Sequence, residues 1–467
     1  MEGGTSQMIA DHRTSSVVLL EFNELAPSLM ERFIAEGCLP NFKALHDESE
    51  VYVTEAGEKY PYLEPWIQWV TVHSGLNYDQ HGVFHLDHGR DLARPCVWDL
   101  LSERNLRVWL CDSMNVSYRA PINGYVLPDP WSSNIPPFPE SLAPYHRFIQ
   151  AHVQEYTNDR VPLRPTDYLK FLAFMVRHGL SPSTVAAIVE QLASERTGRY
   201  RWRRAAIMDR LQFDLFRAIY RRDRPHFSTF FLNSTAHLQH MYWRNMEPEA
   251  FTLKPPQTSS ASSPTPSASA ASRWTGSVGE FRALVGDAAT IIFCTALSQQ
   301  PCVMYDEQGG KGPHRPRSFE ALLAFAGIRS PYKVAPVMSE QFRVYFDNER
   351  DATDAAKRLL AIRIDQQGAI DVGQEGHALF VHCPIARELP HDAMLTVTGS
   401  ARRARFFDLF YRMETKSGMH HPSGMLWVRH PDKQHHIHSS RIPLTAIAPA
   451  ILGMFGLATP TFRRSEN

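Results

Sequence analysis

The sequence predicts an α/β fold: a three-layer α/β/α sandwich around a central, mostly parallel sheet, extended by a helical insertion and a small α+β subregion. Three observations carry this. Residues 17–22, 226–232 and 290–294 are short β-branched and aromatic runs closed by polar residues, as strands buried on both faces read. The first is followed by a turn and a helical pattern that stops at Gly37, the opening of a parallel unit. From 141 to 221 apolar residues recur every three or four positions, with almost no strand pattern.

Taken in order, strand 17–22 ends at Asn23-Glu24, which places both side chains at the carboxyl end of a strand, the edge where open parallel sheets bind ligands. Residues 27–36 put Leu29, Met30, Phe33 and Ile34 on one helical face, 41–46 continues as helix, and the segment to Tyr62 is an extended excursion. The stretch 63–84 organises the rest. Pro65 suits a first helical position, an apolar and aromatic face runs to Gly75, and a polar turn closes at His81-Gly82. Residues 97–101 and 106–111 add a helix and a strand, and Asp129-Pro130-Trp131 marks a rigid turn in a Pro-rich loop.

Helical spacing then fills an insertion over 140–222, and Asn233 to Trp243 follows strand 226–232 as Asn23 follows the first strand. Residues 258–272, rich in Ser, Pro and Ala without period, read as a flexible loop. After strand 290–294 comes Thr295-Ala296-Leu297-Ser298. A small α+β cap over 310–415 has strands near 342–346, 378–382 and 395–398 and a helix at 352–362. A strand at 425–430 and a helix at 444–455 complete a single core domain, 17–467.

Composition narrows the function. Lys plus Arg equals Asp plus Glu at 49 each, which argues against a dedicated nucleic-acid or polyanion surface. The local run Arg199, Arg201, Arg203, Arg204 reads as a solvated helix face. The 6 cysteines form no CxxC pair, which fits reduced thiols in a cytoplasm. The first apolar run is too short for a signal or a membrane span, so a cytoplasmic chain without membrane contact is expected.

The order of motifs is informative as a set: Asn23 behind a strand; Trp69-x-Thr71-x2-Ser74-Gly75-Leu76 with His81-Gly82; Gln239-His240-x-Tyr242-Trp243 behind another strand; and His420-x-Pro422-x-Gly424. This order resembles the alkaline phosphatase superfamily, in its type I phosphodiesterase/nucleotide pyrophosphatase branch, over most of the chain. The resemblance implies two-metal hydrolysis of phosphate esters with a Thr or Ser nucleophile. Position by position it implies that His420 is the late metal-binding imidazole and that His240 or His237 is the middle one.

Other positions depart from the family. Asn23 stands where the first-strand metal Asp belongs, Glu64-Pro65 where the nucleophile belongs, and Thr295 to Ser298 where Ser-Asp-His-Gly belongs. The second-metal site therefore loses its anionic donors and is expected to be absent. Glu24 and Glu64 are candidates to replace the lost carboxylates. Glu64 with His420 and His240 or His237 would make a two-His-one-carboxylate zinc site with open positions, in which activated water replaces the missing hydroxyl. The other reading of Glu64 is a helix cap at Pro65.

Two functions follow. One is a divergent metal-dependent hydrolase or transferase acting on a small anionic phosphate or related ester, with metal donors among Asn23, Glu24, His237, His240 and His420 and with Glu64 as the catalytic carboxylate. The other is a catalytically inactive descendant that uses the fold as a binding or scaffolding module. His81 reads as a turn residue and His73 as core. The tract around His421, His435, His436 and His438 reads as an exposed loop, and 314–317 is either a guanidinium source or plain surface.

Overall fold

An eight-stranded sheet runs through the middle of the protein. Its strands are β1 (Val17–Phe22), β2 (Glu50–Glu55), β3 (Val108–Cys111), β4 (Gly124–Leu127), β5 (Phe227–Leu232), β6 (Thr290–Cys294), β9 (Ser423–Arg429) and β10 (His436–Pro443). A separate two-stranded ribbon pairs β7 (Ser298–Pro301) with β8 (Gly418–His421). The spatial order of the large sheet is β10-β2-β9-β6-β1-β5-β3-β4, and β9 alone runs against the others. This computed structural model describes residues 16–132, 134–156, 163–196, 204–254, 266–304, 306–308, 310–336, 341–413 and 415–458.

β1 is buried along its whole length because both faces of the sheet are covered, which is why its sequence does not alternate. Val18, Leu20 and Phe22 enter one core with α1 (Pro27–Ala35), α2 (Pro40–His46) and α5 (Pro266–Val285). Val17 and Leu19 enter the other, with α3 (Pro65–Ser74) and the closing helix α6 (Ile447–Met454). The result is the expected α/β/α layering. Register aligns Phe22 with Leu232, so Asn23 and Asn233 leave the sheet side by side.

Helices Ala143–Tyr156, Pro165–Arg177, Pro182–Glu195 and Arg204–Asp223 lie between β4 and β5. The segment between β7 and β8 has its own apolar cluster, built on two four-stranded sheets and helices Phe319–Ala326 and Glu349–Leu360. Gly75 ends α3 in the left-handed region, φ 72°, and a Cβ there would stand 3.1 Å from Pro449. Glycine is thus needed both for the turn and for the approach of α6.

The structure differs from the sequence reading at three points. The excursion before Tyr62 contains β2, whose Tyr52 and Thr54 are buried while Val53 and Glu55 are exposed. The His-rich tract contains β10, an outer strand exposed over most of its length; His438 stacks on Tyr52 with ring centroids 4.1 Å apart. The loop expected at 258–272 is helical from Pro266, where Pro at the helix start and the alanines that follow favour α5. Residues 258–265 lie outside the described residues, as do Arg199, Arg201 and Arg203. No helix among the described residues is long and apolar enough to cross a membrane.

Candidate functional site

β1 ends in two residues with opposite surroundings. Asn23 extends beneath α3, where its carbonyl oxygen accepts a hydrogen bond from the Trp69 indole at 2.8 Å. Its amide donates to Asn233 at 2.9 Å and to Glu24 Oε1 at 3.1 Å, so every polar atom of the side chain is engaged by a neighbouring side chain. Glu24 then takes a left-handed backbone conformation, φ 58°, which is costly for a residue with a Cβ. The Gln239 side chain clamps this turn, accepting from the Ala26 N–H and donating to the Glu24 carbonyl, each at 2.8 Å.

The strained turn aims the Glu24 carboxylate at two imidazoles. Its Oε2 lies 3.1 Å from His240 Nε2 and 3.3 Å from His420 Nε2, and Gln299 donates to the same oxygen at 2.7 Å. The two rings sit 5.3 Å apart, centre to centre. Among the described residues, Glu24, His240 and His420 are the three-residue group of His, Cys, Asp or Glu whose ligand atoms come together closely enough for one ion.

His240 reaches this point from α4 (Ser234–Met246), the helix that leaves β5, and His420 from β8 just before β9. A carbonyl only accepts, so the 2.9 Å contact of His240 Nδ1 with the Gly418 carbonyl fixes the proton on Nδ1. In the neutral ring Nε2 is then a lone pair facing a carboxylate oxygen, an arrangement that needs a second proton or a cation between them. Gly418 permits the contact: a Cβ there would stand 2.7 Å from the Gln239 carbonyl and 2.2 Å from Gln299 Oε1.

Burial alone would lower the pKa of His420 and raise that of Glu24. The ion pairing prevails in both: His420 is raised to about 9 by the Glu24 carboxylate, and Glu24 is held well below the usual carboxylate range by His420 and His240. Glu64 approaches the other side of the His420 ring, with Oε2 3.4 Å from Nδ1. It occupies the N-cap position of α3, at the helix's positive end, but makes no side-chain capping bond. Burial raises its pKa, against the opposing pull of His420, Lys416 and Lys311. The two lysines face each other across a single β-bridge.

His237, one turn before His240, is solvent-exposed and stands outside the three-residue cluster. His81 is a turn residue: its Nδ1 accepts from the Val83 N–H at 3.0 Å and its Nε2 contacts Thr71 at 3.3 Å. His73 is in the core, paired with Glu21 of β1 at 2.7 Å. His314 and Arg315 are buried in a strand of the cap segment, and Arg317 bonds the carbonyls of Phe407 and Phe410, so this tract serves the local fold. Gln299, which orients the Glu24 carboxylate, carried no signal in the sequence, and Gln239, which sets the Glu24 turn, was marked there only as part of the motif before His240. Gln299 is brought there by the pairing of β7 with β8, which puts it opposite His420.

No protein-family model and no curated protein matches the chain. Solved structures do. Phosphonoacetate hydrolase from Sinorhizobium meliloti 1021, in complex with phosphonoacetate, matches at 11% identity and a TM-score of 0.42, over 95% of this chain and 96% of that one. Murine ectonucleotide pyrophosphatase/phosphodiesterase 5 matches at 7% identity and a TM-score of 0.43, over 96% and 97%. Its human counterpart matches at 8% and 0.42, over the same shares. The chain's own topology has an α/β/α layering, with its charged cluster at the carboxyl edge of β1, β5 and β6.

Proposed function

We propose that the chain is a divergent metal-dependent hydrolase or transferase of the alkaline phosphatase type, acting on a small phosphate or related anionic ester. One divalent ion, zinc by its donors, is held by Glu24, His240 and His420. The observation that carries this is the pair of contacts from Glu24 Oε2 to two imidazole Nε2 atoms, with His240 already committed through Nδ1. Two ligands about 2.1 Å from a tetrahedral ion stand about 3.4 Å apart, close to both separations here. Two imidazoles and one carboxylate are also the donor types a catalytic zinc takes. When bound, the ion polarises the ester and lowers the pKa of a water molecule.

The chain's own residues do the rest. Gly418 sets the His240 tautomer, Gln299 and Asn23 orient the Glu24 carboxylate, and Glu64 orients His420 through Nδ1, as carboxylates commonly do behind a ligand histidine. Glu64, with its raised pKa, is also the carboxyl best placed to hold or pass a proton beside the reacting ester. Lys311 and Lys416 add positive charge on the same side, which suits an anionic substrate. With Glu64-Pro65 where a hydroxyl nucleophile would stand, the attacking group is water. The free cysteines, five of them buried, support a reducing compartment, the cytoplasm. The balanced charge argues against nucleic-acid partners, and no helix among the described residues is long and apolar enough to cross a membrane.

A second reading, a binding module without turnover, is favoured by one observation. The place of the second ion is closed by neutral hydrogen bonds among Asn23, Trp69 and Asn233. A panel of generic phosphomonoesters and phosphodiesters separates the two. Zinc-loaded protein is expected to turn over at least one class, with kcat reduced about a hundredfold or more by Glu64→Gln. Metal-loaded protein silent across the panel would leave the binding module.

A further inference from the structure

A cavity of about 310 Å³ opens between the link from β2 to α3 and the short helix Tyr78–His81. Gly57, Glu58, Tyr62, Asn77, Tyr78 and Asp79 line it, so it carries two carboxylates and no basic residue. Its size is at the small end of ligand pockets and suits one compact molecule. One wall is aromatic and held in place. The Tyr62 and Tyr78 rings lie 4.5 Å apart, centre to centre, and Phe84 meets both edge-on at 5.7 and 6.2 Å. Gln68 of α3 donates to the Tyr62 carbonyl at 3.0 Å, and Tyr62 is still 39% exposed, which leaves ring surface for a ligand.

The Tyr78 N–H donates to Glu58 Oε1 at 2.9 Å, which fixes this carboxylate in the cavity lining. Its second oxygen, Oε2, is shielded from solvent and has no hydrogen-bond partner. Glu58 and Asp79 take part in no ion pair among the described residues. A shielded carboxylate oxygen left alone is costly, and a donor or a cation placed beside it relieves the cost. Three features of the lining choose the ligand. Carboxylates attract a cation and repel an anion, and aromatic faces favour a cation that is organic. The idle acceptor asks for an N–H donor, which a quaternary ammonium lacks. A calcium ion needs six or more oxygen ligands, more than a partly aromatic lining with two carboxylates brings together.

We propose that this cavity binds a small protonated primary amine, with the ammonium group on Glu58 Oε2, its carbon chain against Tyr62 and Tyr78, and the exposed Asp79 adding attraction. The site is separate from the metal cluster and does not depend on it. Isothermal titration calorimetry of the full chain with n-butylammonium chloride tests it, with tetramethylammonium chloride and calcium chloride as comparisons. Glu58→Gln keeps an acceptor for the Tyr78 N–H but loses the charge, and Tyr62→Leu removes the open ring. The expected result is saturable binding of one butylammonium per chain, about tenfold weaker for tetramethylammonium and absent for calcium. Glu58→Gln should weaken it about tenfold or more and Tyr62→Leu about threefold, both with the melting temperature and metal content of the wild type. No saturable binding of butylammonium up to about 50 mM overturns the proposal, as does binding that Glu58→Gln leaves intact. Tighter binding of tetramethylammonium overturns it in favour of a purely aromatic site, and calcium binding lost in Glu58→Gln in favour of a metal.

Discussion

Asn23 and Glu24 are consecutive residues at the end of one strand, and they meet opposite demands. Asn23 is neutral, beneath α3, and its amide is saturated by Trp69, Asn233 and Glu24. Glu24 is an anion, turned across the strand end by its left-handed backbone, with two imidazole nitrogens within 3.3 Å. A saturated neutral amide has nothing to offer a cation. A buried carboxylate facing a lone pair requires one, whether a proton or a metal. One sheet edge thus sets a saturated neutral amide beside a paired charge.

Four changes would break or sharpen that contrast. The largest effect is expected from Glu24→Gln, which removes the anion between His240 and His420. Zinc stoichiometry, measured by elemental analysis after gel filtration, should fall from about one to near zero. Glu24→Ala should also cost about 3–5 kcal/mol in urea unfolding, because it strips a buried pair of one partner. Next, Asn23→Asp puts a carboxylate in place of the saturated amide. Stability should drop by about 2–3 kcal/mol, since the new charge is buried beside Glu24, and the metal count should stay at one. A second bound ion in this variant would break the contrast.

A smaller effect is expected from pH. The His420 pKa is raised from its ordinary 6.5 to about 9, so the stabilisation from this pair is complete below about pH 6.5 and is lost as pH rises through 9. Glu24 is depressed, so its contribution is present above its ordinary 4.5 and is lost as pH falls below that. Chelator-treated protein should therefore melt highest between about pH 4.5 and 6.5, and zinc should remove the alkaline decline by taking the proton's place. A chelated protein equally stable at pH 6 and pH 9 would contradict the pairing. The smallest effect belongs to Trp69→Phe, which leaves the Asn23 carbonyl oxygen without its indole donor. It should cost about 1–2 kcal/mol and leave metal content unchanged.

The layers and their central strands were legible because β1, β5 and β6 are buried on both sides and their sequences show it. β2 and β10 were not, since each has an exposed side and β10 is mostly polar. The site was half legible. His420, His240 and Glu24 lay among the candidates, but periodicity could not choose between His237 and His240, because that choice depends on the Gly418 carbonyl, remote in sequence. Nor could it show that Glu24 meets both Nε2 atoms while Glu64 stands behind His420. That division depends on a left-handed turn at a residue other than glycine, which has no sequence signature.

The most direct test is the metal content of protein purified without chelator or added metal, compared with His240→Ala and His420→Ala. About one zinc-like ion per chain, lost in both variants while the fold is retained, is the predicted result. Wild-type protein free of metal, unable to take up zinc at micromolar concentration and no less stable for it, would show that Glu24 and its two histidines are a plain ion-paired cluster.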